Sequence, residues 1–118
     1  MDPNHASPAD VVADYCATFA TGSAERLDRL YEPDAVLVPR PGNPMTGAAR
    51  VAAHRHLLGF STSIEATTRH VYVAGDIALL VVDWAIRPIG VHGTAADVVR
   101  RGADGAWRYL IDNPYGTA

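Results

Sequence analysis

Three aspartates interrupt apolar, strand-like runs of this chain: Asp83 within residues 78–86, Asp97 within 94–99 and Asp112 within 109–113. A carboxylate taken out of water must find a partner or give up its charge, at a cost of several kcal/mol. Two arrangements meet that demand. In one, neighbouring carboxyls floor a pocket and one of them stays protonated near neutral pH, a general acid beside a general base. In the other, arginines on the same strands neutralise them; Arg87, Arg100, Arg101 and Arg108 are available, and Arg101 shares the side parity of Asp97. A hairpin turning near Gly90 would set Asp83 opposite Asp97. The turn at 103–105 would set Asp112 opposite or diagonal to Asp97, so that all three share one face.

The elements that must position these groups follow from periodicity. Val11, Val12, Tyr15, Cys16 and Phe19 recur at helical spacing, predicting a helix over 8–20 with Ser7 and Pro8 at its start. A second helix is expected over 24–31, with Leu27, Leu30 and Tyr31 inward, and a short strand over 35–38. The three prolines and two glycines of 39–47 predict a loop, and 48–58 a third helix. From residue 61 the period changes to two, and 61–74, 77–88, 93–102 and 106–113 read as four strands joined by short turns, hence antiparallel neighbours. Helices followed by a meander define an α+β fold with helices packed on the concave face of a curved sheet.

With 118 residues the chain is sized for one domain, 1–118, with residues 1–7 frayed. The formal net charge of −3 and the pI near 5.9 argue against a nucleic-acid partner. No apolar run reaches the roughly 20 residues of a membrane span, and the N-terminus has no secretory pattern. The expected location is therefore cytoplasmic. Cys16 is the single cysteine, which excludes an internal disulfide and a thiolate metal site. His54 and His56 are two apart on a helix and face different ways, and neither they nor His70 and His92 have the spacing of a metal site. Nothing in the sequence demands a cofactor. The run 77–86 is apolar on both faces, so a second subunit is expected to cover the face the helices do not, giving a homodimer.

The order of elements, together with Tyr31-x2-Asp34-Ala35-Val36, Gly42-x4-Gly47, Asp97-Val98-x-Arg100, Asp104-Gly105-x-Trp107-Arg108 and the terminal Ile111-Asp112-Asn113-Pro114-Tyr115-Gly116, resembles the nuclear-transport-factor-2-like superfamily. Within it the chain looks most similar to the SnoaL-like and ketosteroid isomerase groups. That resemblance implies a cone-shaped domain with an apolar pocket. In the isomerases a first-helix tyrosine and a protonated strand aspartate donate hydrogen bonds to a dienolate oxygen. Tyr15 and Asp97 fall at those two positions. The general base of the isomerases falls at Pro39, which takes no proton, so a true ketosteroid isomerase is not implied. Epoxide-hydrolase relatives carry an arginine two residues before a strand aspartate, and here that position is Ala95. The resemblance also puts His54 where a pocket aromatic often sits, and Leu110, Asp112 and Pro114 along the pocket wall.

The expected function is acid–base chemistry without a cofactor on a small, mostly apolar carbonyl or polyketide-like molecule: isomerisation, cyclisation or dehydration. Asp97 and Tyr15 would polarise the oxygen, Asp83, Asp112 or His54 would move the proton, and Trp84, Leu110 and Pro114 would contact the substrate. The alternatives are a non-catalytic ligand-binding or dimerisation module and, third, water addition to an epoxide through Asp97 and Asp112.

Overall fold

The computed structural model describes residues 7–118, and the expected fraying of 1–7 lies, but for Ser7, outside them. Three helices, α1 (Asp10–Phe19), α2 (Ala24–Asp28) and α3 (Gly47–Leu58), accompany six strands. The strands are β1 (Tyr31–Arg40), β2 (Asn43–Met45), β3 (Glu65–Ala74), β4 (Ile77–Ile86), β5 (Val91–Arg101) and β6 (Trp107–Asp112). They form one curved sheet in the order β2-β1-β6-β5-β4-β3, open at both edges. The meander β3 to β6 is antiparallel, as the short turns require, while β1 joins β6 in parallel. This is the expected α+β architecture.

The inward faces follow the period of two. Ala78, Leu80, Val82 and Ile86 of β4, Ala95 and Val99 of β5, and Trp107 and Tyr109 of β6 are buried against Val11, Val12 and Phe19 of α1 and Leu27 of α2. The opposite face stays open in the single chain: Tyr72, which pairs with Leu79, and Ile77, Leu79 and Ile111 are all more than a third exposed. No helix among the described residues is long and apolar enough to cross a membrane.

Several boundaries differ from the sequence reading, and two of them bear on the site. The second helix stops at Asp28, and Tyr31 opens β1 instead of closing the helix. Tertiary pairing overrides the local pattern there: Tyr109 N–H donates to Leu30 C=O at 2.8 Å, and Tyr31 lies in register with Tyr109. The proline-rich stretch is also no simple loop, since Asn43 to Met45 folds back on β1 as β2.

The second boundary concerns β4, which ends at Ile86. A single 3₁₀ turn, Arg87–Ile89, leads to Gly90 at φ 69°, a left-handed conformation glycine adopts without strain, and β5 resumes at Val91. Asp97 therefore pairs with Leu80, and Asp83 with Thr94. An odd shift in register reverses which residues of β4 share a face with Asp97.

A buried cation ties three of these elements together. Arg50 of α3 is 3% exposed; its guanidinium donates to Asp28 Oδ1 at 2.8 and 3.1 Å and to Ala35 C=O at 2.8 Å, and lies 5.4 Å from the centroid of the Tyr31 ring. Losing it strips the partner from a half-buried carboxylate and leaves a buried carbonyl without its donor. Urea unfolding of Arg50→Ala should show a loss of about 2–3 kcal/mol. Arg69→Ala, which removes an exposed pair with Asp83, should cost less than about 1 kcal/mol.

Candidate active site

Between the helices and the concave sheet lies an open cavity of about 1100 Å³, somewhat above the usual range of roughly 300–1,000 Å³ for small-molecule sites. Its walls are apolar, supplied by residues such as Leu57 and Phe60 at one side and Val82, Trp84 and Ile86 of β4 at another. The deep end is polar: Tyr15, His54, Asp97, Tyr109 and Asp112 all line it. Among the described residues, Asp97 and Asp112 are its only carboxylates, and they are 4% and 8% exposed.

Each of these side chains is placed by its element. Alternation along β5 turns Asp97 inward with Ala95 and Val99. On β6, Tyr109 pairs with Val99 but Ile111 pairs with Val98, so Leu110 is an extra residue in the ladder. This bulge resets the alternation, and Tyr109 and Asp112 both face the cavity although they are three apart. Tyr31 arrives from the start of β1, Tyr15 from the inner face of α1 and His54 from α3.

The carboxyls hydrogen-bond to each other, and Asp97 Oδ1 also accepts from Asn113 N–H at 2.9 Å. Burial, then the nearby charge of Asp112, pushes Asp97 well above the ordinary carboxylate range, against the smaller opposing pull of Asn113 N–H. The arginines that could have neutralised it are engaged elsewhere: Arg87 with Glu65, Arg100 with Glu32 and Asp34, Arg101 with Asp76, and Arg108 with Asp104. Asp97 is thus not half of an ion pair, and its surroundings favour the protonated form.

Behind the pair stands a hydroxyl–imidazole cluster. Tyr31 O–H donates to Asp112 Oδ2 in a short hydrogen bond. His54 Nε2 lies 3.3 Å from the Tyr31 hydroxyl and 3.4 Å from that of Tyr15. Burial lowers the His54 pKa, outweighing the nearby charge of Asp112, so the ring is neutral near pH 7. Because the single Tyr31 proton goes to Asp112, its oxygen accepts from His54, which assigns the proton to Nε2. Nδ1 is left as a buried acceptor with no partner in the described residues. The same N–H also faces the Tyr15 oxygen, at the longer distance of 3.4 Å, so the Tyr15 hydroxyl shares in the cluster. Burial first, then Asp112 at Tyr31 and both Asp97 and Asp112 at Tyr15 and Tyr109, holds these three phenols well above their ordinary pKa. All three stay protonated donors.

Of the residues singled out from the sequence, the structure brings Asp97, Asp112, Tyr15 and His54 together and sets Trp84 and Pro114 in the wall, where Trp84 Nε1 donates to Pro114 C=O at 2.7 Å. Asp83 does not join them. It sits on the outer face, about half exposed, accepting from Thr94 Oγ1 at 2.8 Å and 3.4 Å from Arg69. Leu110 is not in the wall either, since the bulge turns it away. Ala95 and Pro39 both line the cavity; the arginine of epoxide-hydrolase relatives and the base of ketosteroid isomerases are replaced by side chains that cannot act. Sequence reasoning missed Tyr31, assigned to a helix end. The Tyr31-x2-Asp34-Ala35-Val36 motif was the available signal for it.

The SnoaL-like domain family matches residues 12–110, and the chain belongs to that family. No curated protein matches the sequence. Among solved structures it is similar to a protein of Thiobacillus denitrificans provisionally assigned as a calcium/calmodulin-dependent protein kinase type II association domain, at 20% identity and a TM-score of 0.75 over 95% of this chain and 96% of the other. A nuclear-transport-factor-2-like protein of unknown function from Silicibacter pomeroyi aligns at 23% identity and a TM-score of 0.68 over 86% of each chain. A provisionally assigned dehydratase of the same family from Streptomyces avermitilis aligns at 20% identity and 0.64, over 86% and 87%. These likenesses carry the fold.

A raised folded-state pKa means that folding takes up a proton between the unfolded and folded values, so stability falls as pH rises through that window. Asn at position 97 mimics the protonated acid and still accepts from Asn113 N–H. Asp97→Asn should match wild type in urea at pH 4 and become progressively more stable than wild type as pH rises to 8. A variant that is less stable at every pH would mean that Asp97 is needed ionised.

Proposed function

We propose that this protein is an acid–base enzyme acting on a small, largely apolar carbonyl compound, by isomerisation, cyclisation or dehydration. The observation that carries the reading is the Asp97–Asp112 pair, buried without a cation at the polar end of an apolar cavity. A structural role would be served as well by an arginine partner or an apolar pair; an unneutralised acid beside a second carboxyl is costly and is characteristic of sites that move protons.

In this reading the substrate carbonyl oxygen takes hydrogen bonds from Tyr15 O–H and the protonated Asp97. Both donors are preorganised and desolvated, and they stabilise the negative charge that develops on oxygen when the adjacent carbon loses a proton. Asp112, oriented by Tyr31, receives that proton, and His54 holds the two tyrosine hydroxyls in place from behind. Return of the proton to another carbon completes an isomerisation. Loss of a β-hydroxyl as water, with its proton from Asp97, completes a dehydration, and attack of the enolate carbon on a second carbonyl completes a cyclisation.

Pro39 at the base position of the isomerases favours one alternative, a module that binds such molecules without transforming them. A panel of enones and β-hydroxyketones incubated with the protein and examined by NMR separates the two. The enzyme reading expects a converted compound, with turnover reduced about 100-fold or more in Asp97→Asn and little changed in Asp83→Asn. Ligands that raise the Tm yet return unchanged would favour the module.

The reading includes a homodimer built on the open apolar face of the sheet. Leu79→Glu on that face should turn a dimer into a monomer in sedimentation equilibrium without emptying the cavity.

A further inference from the structure

All ten cationic residues of the chain other than histidine are arginines. Seven have a carboxylate within ion-pair distance: Arg50, Arg55, Arg69, Arg87, Arg100, Arg101 and Arg108. Arg26, Arg29 and Arg40 have none among the described residues. The first two lie in and just after α2, away from the cavity. Arg40, the last residue of β1, lines it.

Its setting adds a second donor. The chain reverses after Arg40 through Pro41 and Gly42 (φ 78°), and Asn43 of β2 comes into register directly opposite Arg40. Both residues are exposed, and both line the cavity. They stand at its rim, whereas the two carboxyls are buried at its deep end. The cavity is therefore polarised along its length: neutral acid and phenol donors at the floor, apolar walls, and an unneutralised guanidinium beside an amide at the mouth. In a protein of net charge −3, this is a local attraction for an anion and not a general one. A planar guanidinium with a neighbouring N–H donor suits a carboxylate, which it can grip with two parallel hydrogen bonds.

We propose that the Arg40–Asn43 rim is a carboxylate subsite, and that the ligand of this cavity is a keto acid of elongated apolar body, its carbonyl inward and its carboxylate at the mouth. This deepens the reading of the cavity as a small-molecule site and rests on it. An anion entering the other way round would meet the Asp97–Asp112 pair, so the charge arrangement also sets the direction of entry.

A matched pair of probes tests it: 2-naphthoate and its neutral isostere 2-naphthamide. Binding is read from the indole N–H resonance of Trp84, which lines the cavity and is distinguished from Trp107 by a Trp84→Phe variant. Wild type should bind naphthoate at least fivefold more tightly than naphthamide at low ionic strength. In Arg40→Gln that preference should vanish, with the affinity for naphthamide changed less than twofold. Naphthoate that binds no better than naphthamide to wild type, or a preference that survives in Arg40→Gln, overturns the proposal. The measurement involves no turnover, so its outcome stands apart from whether Asp97 catalyses anything.

Discussion

Two carboxyls buried side by side, with no cation among the described residues to balance them, repel each other when both are ionised. Most of what is unusual about this domain's interior follows from that constraint. Burial and the neighbouring Asp112 both oppose ionisation of Asp97 in this poorly solvated space. Asp112 in turn is held by the Tyr31 hydroxyl, which commits the Tyr31 proton and fixes the tautomer of His54. One shared proton thus orders hydroxyls on α1 and β1, a ring on α3 and carboxyls on β5 and β6. The polar floor behaves as a unit, and a change at one member alters the donor and acceptor roles of the others.

The floor is stiff because its supports are fixed independently of it. Arg50 grips Asp28 and the Ala35 carbonyl and covers the face of the Tyr31 ring. Tyr31 and Tyr109 pack at 5.0 Å between ring centroids, and Tyr31 and His54 at 5.2 Å. The walls, by contrast, are made of aliphatic and aromatic side chains such as Leu57, Val82, Phe60 and Trp84, which prescribe little beyond an apolar body.

Much of this was legible in the sequence. The change of period near residue 61, the turn residues and the inward stripe of the first helix define the architecture without ambiguity. Asp97 and Asp112 announce themselves as charges inside strands, and the short turn between their strands brings them together. Asp83 looked the same and was not, because a 3₁₀ turn at Arg87–Ile89 moved the register by an odd number of residues. Local sequence does not encode that choice; pairing across the whole of β4 and β5 does. Tyr31 was hidden for a related reason, since a residue that continues a helical pattern was captured by an edge position beside β6. Arg50 gave no signal at all. An arginine in an alanine-rich helix reads as a solvated charge until Asp28 and Ala35 are seen to converge on it.

The bulge at Leu110 has a consequence for how such proteins diverge. At a spacing of three residues, simple alternation would turn the Asp112 carboxyl out of the cavity, while every residue of the floor remained present in the chain. The extra residue at Leu110 is what returns it inward. A relative one residue shorter or longer between Tyr109 and Asp112 would set both side chains inward with no bulge, whereas one that kept the spacing and lost the bulge would part them. Chain length at that point is as much a part of the site's specification as the identity of any side chain in it.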